Sequence, residues 1–145
     1  MTTSSHSLAH WKLRHAQVTI LGIVLNLVVA FPFFFVPAWS LDLLNIPHPP
    51  LIWARVGAML LVIITAFYIP MVFDLDRFRI FAWLSIFPSR TFGATYFTVA
   101  VVVFGAAPGF LSIALIDAFI AILWLICLIR VVSIEQDIAT GRGTS

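Results

Sequence analysis

Three ionisable residues stand inside long apolar runs: Arg55, Arg90 and Asp117. A charge in hydrocarbon costs from about 2.5 kcal/mol upward, so such residues face a helix-packed interior and pair there. At 1.5 Å per helical residue, Arg55 lies about 6 Å and Asp117 about 12 Å into their runs from one side. Counted from the other side, Arg90 at about 15 Å and Asp117 at about 18 Å are nearly level. Asn26 lies about 14 Å into its own run from that side. The residues beside them are small, with Gly93 and Ala94 following Arg90 and Ala114 and Ala121 flanking Asp117. Small residues let helices approach closely. The expectation is an interior polar cluster of Arg90 and Asp117, with Arg55 above it and Asn26 beside it. Two readings of the cluster stand side by side: a neutralised ion pair that fixes helix register, or a site that contacts a ligand or handles a proton.

The elements that must hold these residues follow from composition. Of 145 residues, 62% are hydrophobic and 10% charged, against about 45–50% and 25% in soluble domains. Four runs satisfy the roughly 20 apolar residues a crossing helix needs: Gln17–Ala38, Leu51–Phe73, a third within Ile80–Ala106, and Gly109–Val132. Their short connections predict an all-α, antiparallel up-down four-helix bundle in the membrane. It forms a single domain over residues 17–132, between a polar N-terminal segment (1–16) and a tail (133–145). Residues Met1–His10 and Thr140–Ser145 are expected to be poorly ordered. The first run is longer than a signal-peptide core and lacks a small-x-small cleavage site, so it reads as retained.

Lys12, Arg14, Arg77, Arg79, Arg130 and Arg142 flank one side of the runs, whereas Ser40–Pro50 and Ala107–Gly109 carry no Lys or Arg. The positive-inside rule therefore predicts two cytoplasmic termini. The third run admits two starts. If it begins at Ile80, Arg90 is deep; if it begins at Pro88, a favoured first-turn residue, Arg90 reaches back to lipid phosphates. The deep placement is expected, because Ile80–Phe87 has no polar face of the kind an interfacial helix needs.

Other chemistry finds little support. His6, His10, His15 and His48 fall outside the runs, which disfavours haem ligation, and the first three read as a solvated basic tail with no metal-ligand spacing. Asp74 and Asp76 read as a solvated turn beside Arg77 and Arg79. Cys127, the single cysteine, reads as a buried thiol acting as a small hydrophobe. Ser89, Thr91, Thr95 and Thr98 are expected to bond backbone carbonyls of the preceding turn. No catalytic residue, metal or resident cofactor is assigned, and the dispersed positive charges do not suggest nucleic acid.

Leu51-Ile52-Trp53-Ala54-Arg55-Val56-Gly57, Tyr68, the turn Asp74–Arg79, Arg90, and Gly109-Phe110 followed by Asp117 form a pattern of isolated polar positions in apolar helices. It resembles the DoxX-like group of small four-helix bacterial membrane proteins over roughly residues 36–130. The resemblance implies a bacterial inner-membrane protein near quinone chemistry, since one branch of the group is a subunit of a membrane thiosulfate:quinone oxidoreductase and others are linked to redox homeostasis. It carries over no catalytic residue. The leading expectation is a non-catalytic accessory or assembly subunit that packs against a membrane partner or a second copy. Alternatives are a quinone- or lipid-binding subunit using Arg90, Asp117 and Arg55, and a small-solute or proton carrier using Asp117.

Overall fold

The computed structural model describes residues 2–141, with side chains from residue 5 onward. Every regular element among them is helical: α1 (Thr2–Phe35), α2 (Pro37–Leu43), α3 (Leu51–Phe73), α4 (Arg79–Leu84), a π-type segment (Ser85–Arg90), α5 (Thr91–Val102) and α6 (Phe110–Ala139). Three helices are long and apolar enough to cross a membrane, over Ser5–Phe35 of α1, all of α3 and all of α6.

Prolines set the boundaries. Val36 precedes Pro37 and leaves the helical region (φ −128°, ψ 57°), because the proline ring clashes with a helical residue before it. Pro37 then starts α2, where its missing N–H costs nothing. The stretch expected to be loop from Ser40 therefore begins as helix, and the chain turns at Asn45, whose φ is 51°. Pro50 caps α3.

The third expected span is not one continuous helix. Phe87, the residue before Pro88, is extended (φ −120°, ψ 116°) and splits Ile80–Ala106. Helix resumes through Arg90 into α5, which ends at Val102 rather than Ala106. Ala82, Ser85 and Ile86, before the break, are buried, so this stretch joins the core.

The N-terminal segment expected to be poorly ordered is helical from Thr2, a direct extension of the apolar run. Residues 142–145, including Arg142 and most of the expected loose tail, lie outside the described residues.

The buried face of α1 runs through His15, Thr19, Gly22, Asn26 and Ala30, steps of three or four that place all five on one helical stripe. Against this stripe α6 runs antiparallel: Trp124 Nε1 donates to Thr19 Oγ1 (3.1 Å), and Lys12 near the start of α1 meets Glu135 near the end of α6. On its other side α1 packs along α3, while α5 packs on α6. The densest core lies toward the end that carries the termini. There Tyr68, Met71, Ile86, Trp124 and Leu128 pack together, with the Tyr68 and Trp124 rings edge-on at 5.0 Å. Toward the opposite end the pairs α1/α3 and α5/α6 diverge.

Candidate functional site: a polar floor beneath an apolar cavity

Arg90 lies just after the break, in the first turn of the resumed helix, and is 4% exposed. Its Nη1 donates to Asp117 Oδ1 on α6, and its Nη2 donates to Asn26 Oδ1 on α1 (2.6 Å). The Asn26 amide in turn donates to Thr65 Oγ1 on α3 (2.8 Å). Thr65 passes its own proton to the Leu61 carbonyl one turn back (2.6 Å). The network thus ties α1, α3, α6 and the start of α5 together at one level. Beneath it, the guanidinium sits 5.6 Å from the Trp124 ring centroid and 5.9 Å from that of Tyr68, within range of cation–π attraction.

The close approach of α5 and α6 depends on Gly93. A Cβ there would lie 2.6 Å from Asp117 Oδ2, so a larger residue forces the carboxylate away from Arg90. This is the small-residue packing expected beside a polar group in apolar helices.

Arg55 does not join the network. It is exposed and donates from Nε to the Phe34 carbonyl (3.3 Å). Ten residues separate it from Thr65 on α3, about 15 Å along the axis and some 80° around it. That distance exceeds an arginine's reach, and the carbonyl near the end of α1 gives it a nearer acceptor.

His15 also departs from expectation. It is buried rather than solvated, because it continues the α1 stripe. Its Nδ1 lies 3.5 Å from Thr19 Oγ1, while its buried Nε2 finds no hydrogen-bond partner among the described residues. Of the span-three hydroxyls, Thr91 bonds the Ile86 carbonyl (2.5 Å) and Thr98 the Ala94 carbonyl (2.7 Å). Ser89 instead meets Tyr68 Oη at 3.2 Å.

Thr65, Tyr68 and Trp124 were not singled out as site residues by sequence reasoning. Thr65 was detectable in principle. A buried Asn amide needs partners, and Thr65 is the one small hydroxyl-bearing residue in the α3 run.

Above the polar floor opens a cavity of about 470 Å³. Asn26, Arg90 and Asp117 line its deep end, and Phe33, Leu41 and Trp53 line its far end. Apart from the three floor residues its wall is made of apolar side chains, a proline and a glycine. An apolar chamber with a few convergent polar groups is the usual form of a small-molecule site.

At the terminal end a second polar group forms. Lys12 Nζ lies 2.7 Å from Asp76 and 3.5 Å from Glu135. Arg79 grips Glu135 with both terminal nitrogens (2.7 and 2.8 Å) and also reaches Asp76 (2.8 Å). The hydrogen bond from Lys12 holds the Asp76 carboxyl below its ordinary value, with Arg79 adding to the effect. Asp74 accepts the Arg77 backbone N–H (3.0 Å). The two aspartates are thus engaged with cationic residues and the turn backbone. Among the described residues no group of three or more His, Cys, Asp or Glu forms a metal site.

Comparison with family models, curated proteins and solved structures finds no match for the chain.

Proposed function

We propose that the protein is a multi-pass inner-membrane subunit that holds a small, largely apolar molecule with a polar head, of the quinone or lipid class, against Arg90 and Asp117. The observation that carries this reading is the cavity: an apolar chamber whose polar lining is confined to one buried, charge-paired floor. A register-fixing ion pair alone needs no chamber above it.

In this reading the broken segment α4–α5 completes four antiparallel crossings with α1, α3 and α6. The terminal end faces the cytoplasm, because Lys12, Arg14, Arg77, Arg79 and Arg130 collect there. The DoxX-like resemblance favours a bacterial membrane and a quinone among the candidates. The role is accessory rather than catalytic, since Arg90, Asp117 and Asn26 bond one another and leave no free base at the floor.

Native mass spectrometry of the gently solubilised protein is the test. A small hydrophobic adduct is expected on the wild type and is expected to be lost from folded Arg90→Ala. Adduct-free wild-type protein would remove the ligand-holding role. A larger membrane protein retained in the same complex would identify the partner that an accessory subunit requires.

A further inference from the structure

Resting on that ligand-holding reading, we propose that the site selects an uncharged ligand head carrying a hydrogen-bond acceptor of the carbonyl type. The head enters first, and the hydrophobic body points toward α2.

Charge balance is the first argument. The Arg90 guanidinium already faces the Asp117 carboxylate, and Asp117, half-buried, lines the same cavity. An anionic head brought to the floor therefore meets a carboxylate at close range in a low-dielectric chamber, where like charges repel strongly. A cationic head meets Arg90 in the same way.

Donor accounting is the second. Arg90 has five N–H donors in a fixed fork. Nη1 serves Asp117 and Nη2 serves Asn26, whereas the buried Nε finds no hydrogen-bond partner among the described residues. Leaving a buried donor unmade is costly, so the floor favours a ligand that brings an acceptor. The Asn26 amide offers no competing donor of equal standing, because it is bonded to Thr65.

Orientation is the third. The far end, at Phe33, Leu41, Ile46 and Trp53, is apolar. A phospholipid anchored by its headgroup at that end would lay its acyl chain on the charged floor. A head-inward ligand matches both ends.

Three probes of similar chain length separate the possibilities when titrated into the full-length protein in phosphatidylcholine nanodiscs: methyl undecyl ketone, laurate and dodecane. Binding is read from tryptophan emission, since Trp53 lines the cavity, and from the rise in unfolding temperature. The ketone is expected to bind on the order of tenfold more tightly than laurate or dodecane, the worth of one hydrogen bond from a charged donor. Arg90→Lys, which keeps the charge opposite Asp117 but has no Nε, is expected to erase that preference. On the wild type, the infrared ketone stretch is expected to show a population shifted to lower frequency than in protein-free discs.

If none of the three binds, the ligand-holding reading and this inference fall together. If laurate or dodecane binds as tightly as the ketone, the cavity still holds a ligand but the head selectivity is wrong. A preference that survives in Arg90→Lys, or an unshifted carbonyl band with the ketone bound, overturns the role of Nε. The infrared measurement needs no variant, so it decides even where Arg90→Lys does not fold.

Discussion

Two arginine–carboxylate pairs lie in one small chain and differ in almost everything except chemistry. Arg79 and Glu135 join α4 to α6 through two parallel bonds with side chains 31% and 27% exposed. Arg90 and Asp117 join the start of α5 to α6 with side chains 5% and 17% exposed. The first pair has the better fork geometry, but water and salt compete for it, and such pairs contribute about 0–1 kcal/mol. The second is shielded, so its partners depend on each other far more strongly. Geometry alone ranks the two pairs in the wrong order; surroundings decide.

The largest expected effect follows from unpairing the interior. Asp117→Ala leaves a buried guanidinium without its counter-charge, at a cost of about 3–5 kcal/mol. Little folded protein should survive detergent extraction and size-exclusion chromatography. Arg90→Leu combined with Asp117→Leu removes both charges and should recover much of that loss. If Asp117→Ala unfolds at the wild-type temperature, the interior pair is as solvated as the surface one and the contrast collapses.

Next comes Asn26→Leu, which takes the acceptor from Arg90 Nη2 and the donor from Thr65 Oγ1. Each is a buried polar group, and losing such a partner costs about 1–3 kcal/mol. Arg90 keeps Asp117, so the variant should fold with a lowered unfolding temperature, measured by circular dichroism in detergent. A loss as large as that of Asp117→Ala would mean that Asn26, not Asp117, anchors Arg90.

The interior partners were legible because polar residues in the apolar runs are so scarce. Depth counted along each run placed Arg90 and Asp117 at one level, and Asn26 near them. Counting depth fails for Arg55, since axial position says nothing about which way a residue faces around the helix. It fails again where a helix breaks: Pro88 signals a boundary, but whether Arg90 falls inside or outside the core depends on where α4 docks. His15 was misplaced because its apolar neighbours are on another helix. The cavity had no sequence signature, since it arises from the gap between two helix pairs whose apolar walls have the composition of lipid-facing surface.

At the exposed pair the effects shrink. Glu135→Gln should cost no more than about 1 kcal/mol, and the difference from wild type should fade in molar salt, where the screening length is about 3 Å. The same salt should leave the deficit of Asp117→Ala, or of its partly folded remnant, largely unchanged. A Glu135→Gln deficit that persists in high salt would show this end to be shielded, for example by a neighbouring protein.

The smallest effect is a pH dependence at Asp76. Its carboxyl is held below the ordinary value of 3.8, chiefly by the hydrogen bond from Lys12, then by the charges of Lys12 and Arg79 against an opposing burial effect. A carboxyl whose folded value is depressed binds its proton more readily in the unfolded chain, so it stabilises the fold wherever it is ionised in both states. That contribution is fully present above the unfolded value and is lost as pH falls through the folded one. With the Asp76 side chain 57% exposed, solvent screening keeps it small. Wild type should therefore exceed Asp76→Asn by a small, constant margin in unfolding temperature from neutral pH down to about pH 5, and the margin should close below about pH 4. A margin that instead grows on acidification would mean that the neutral acid is the favoured form at position 76, reversing the sign assigned to the Lys12 contact.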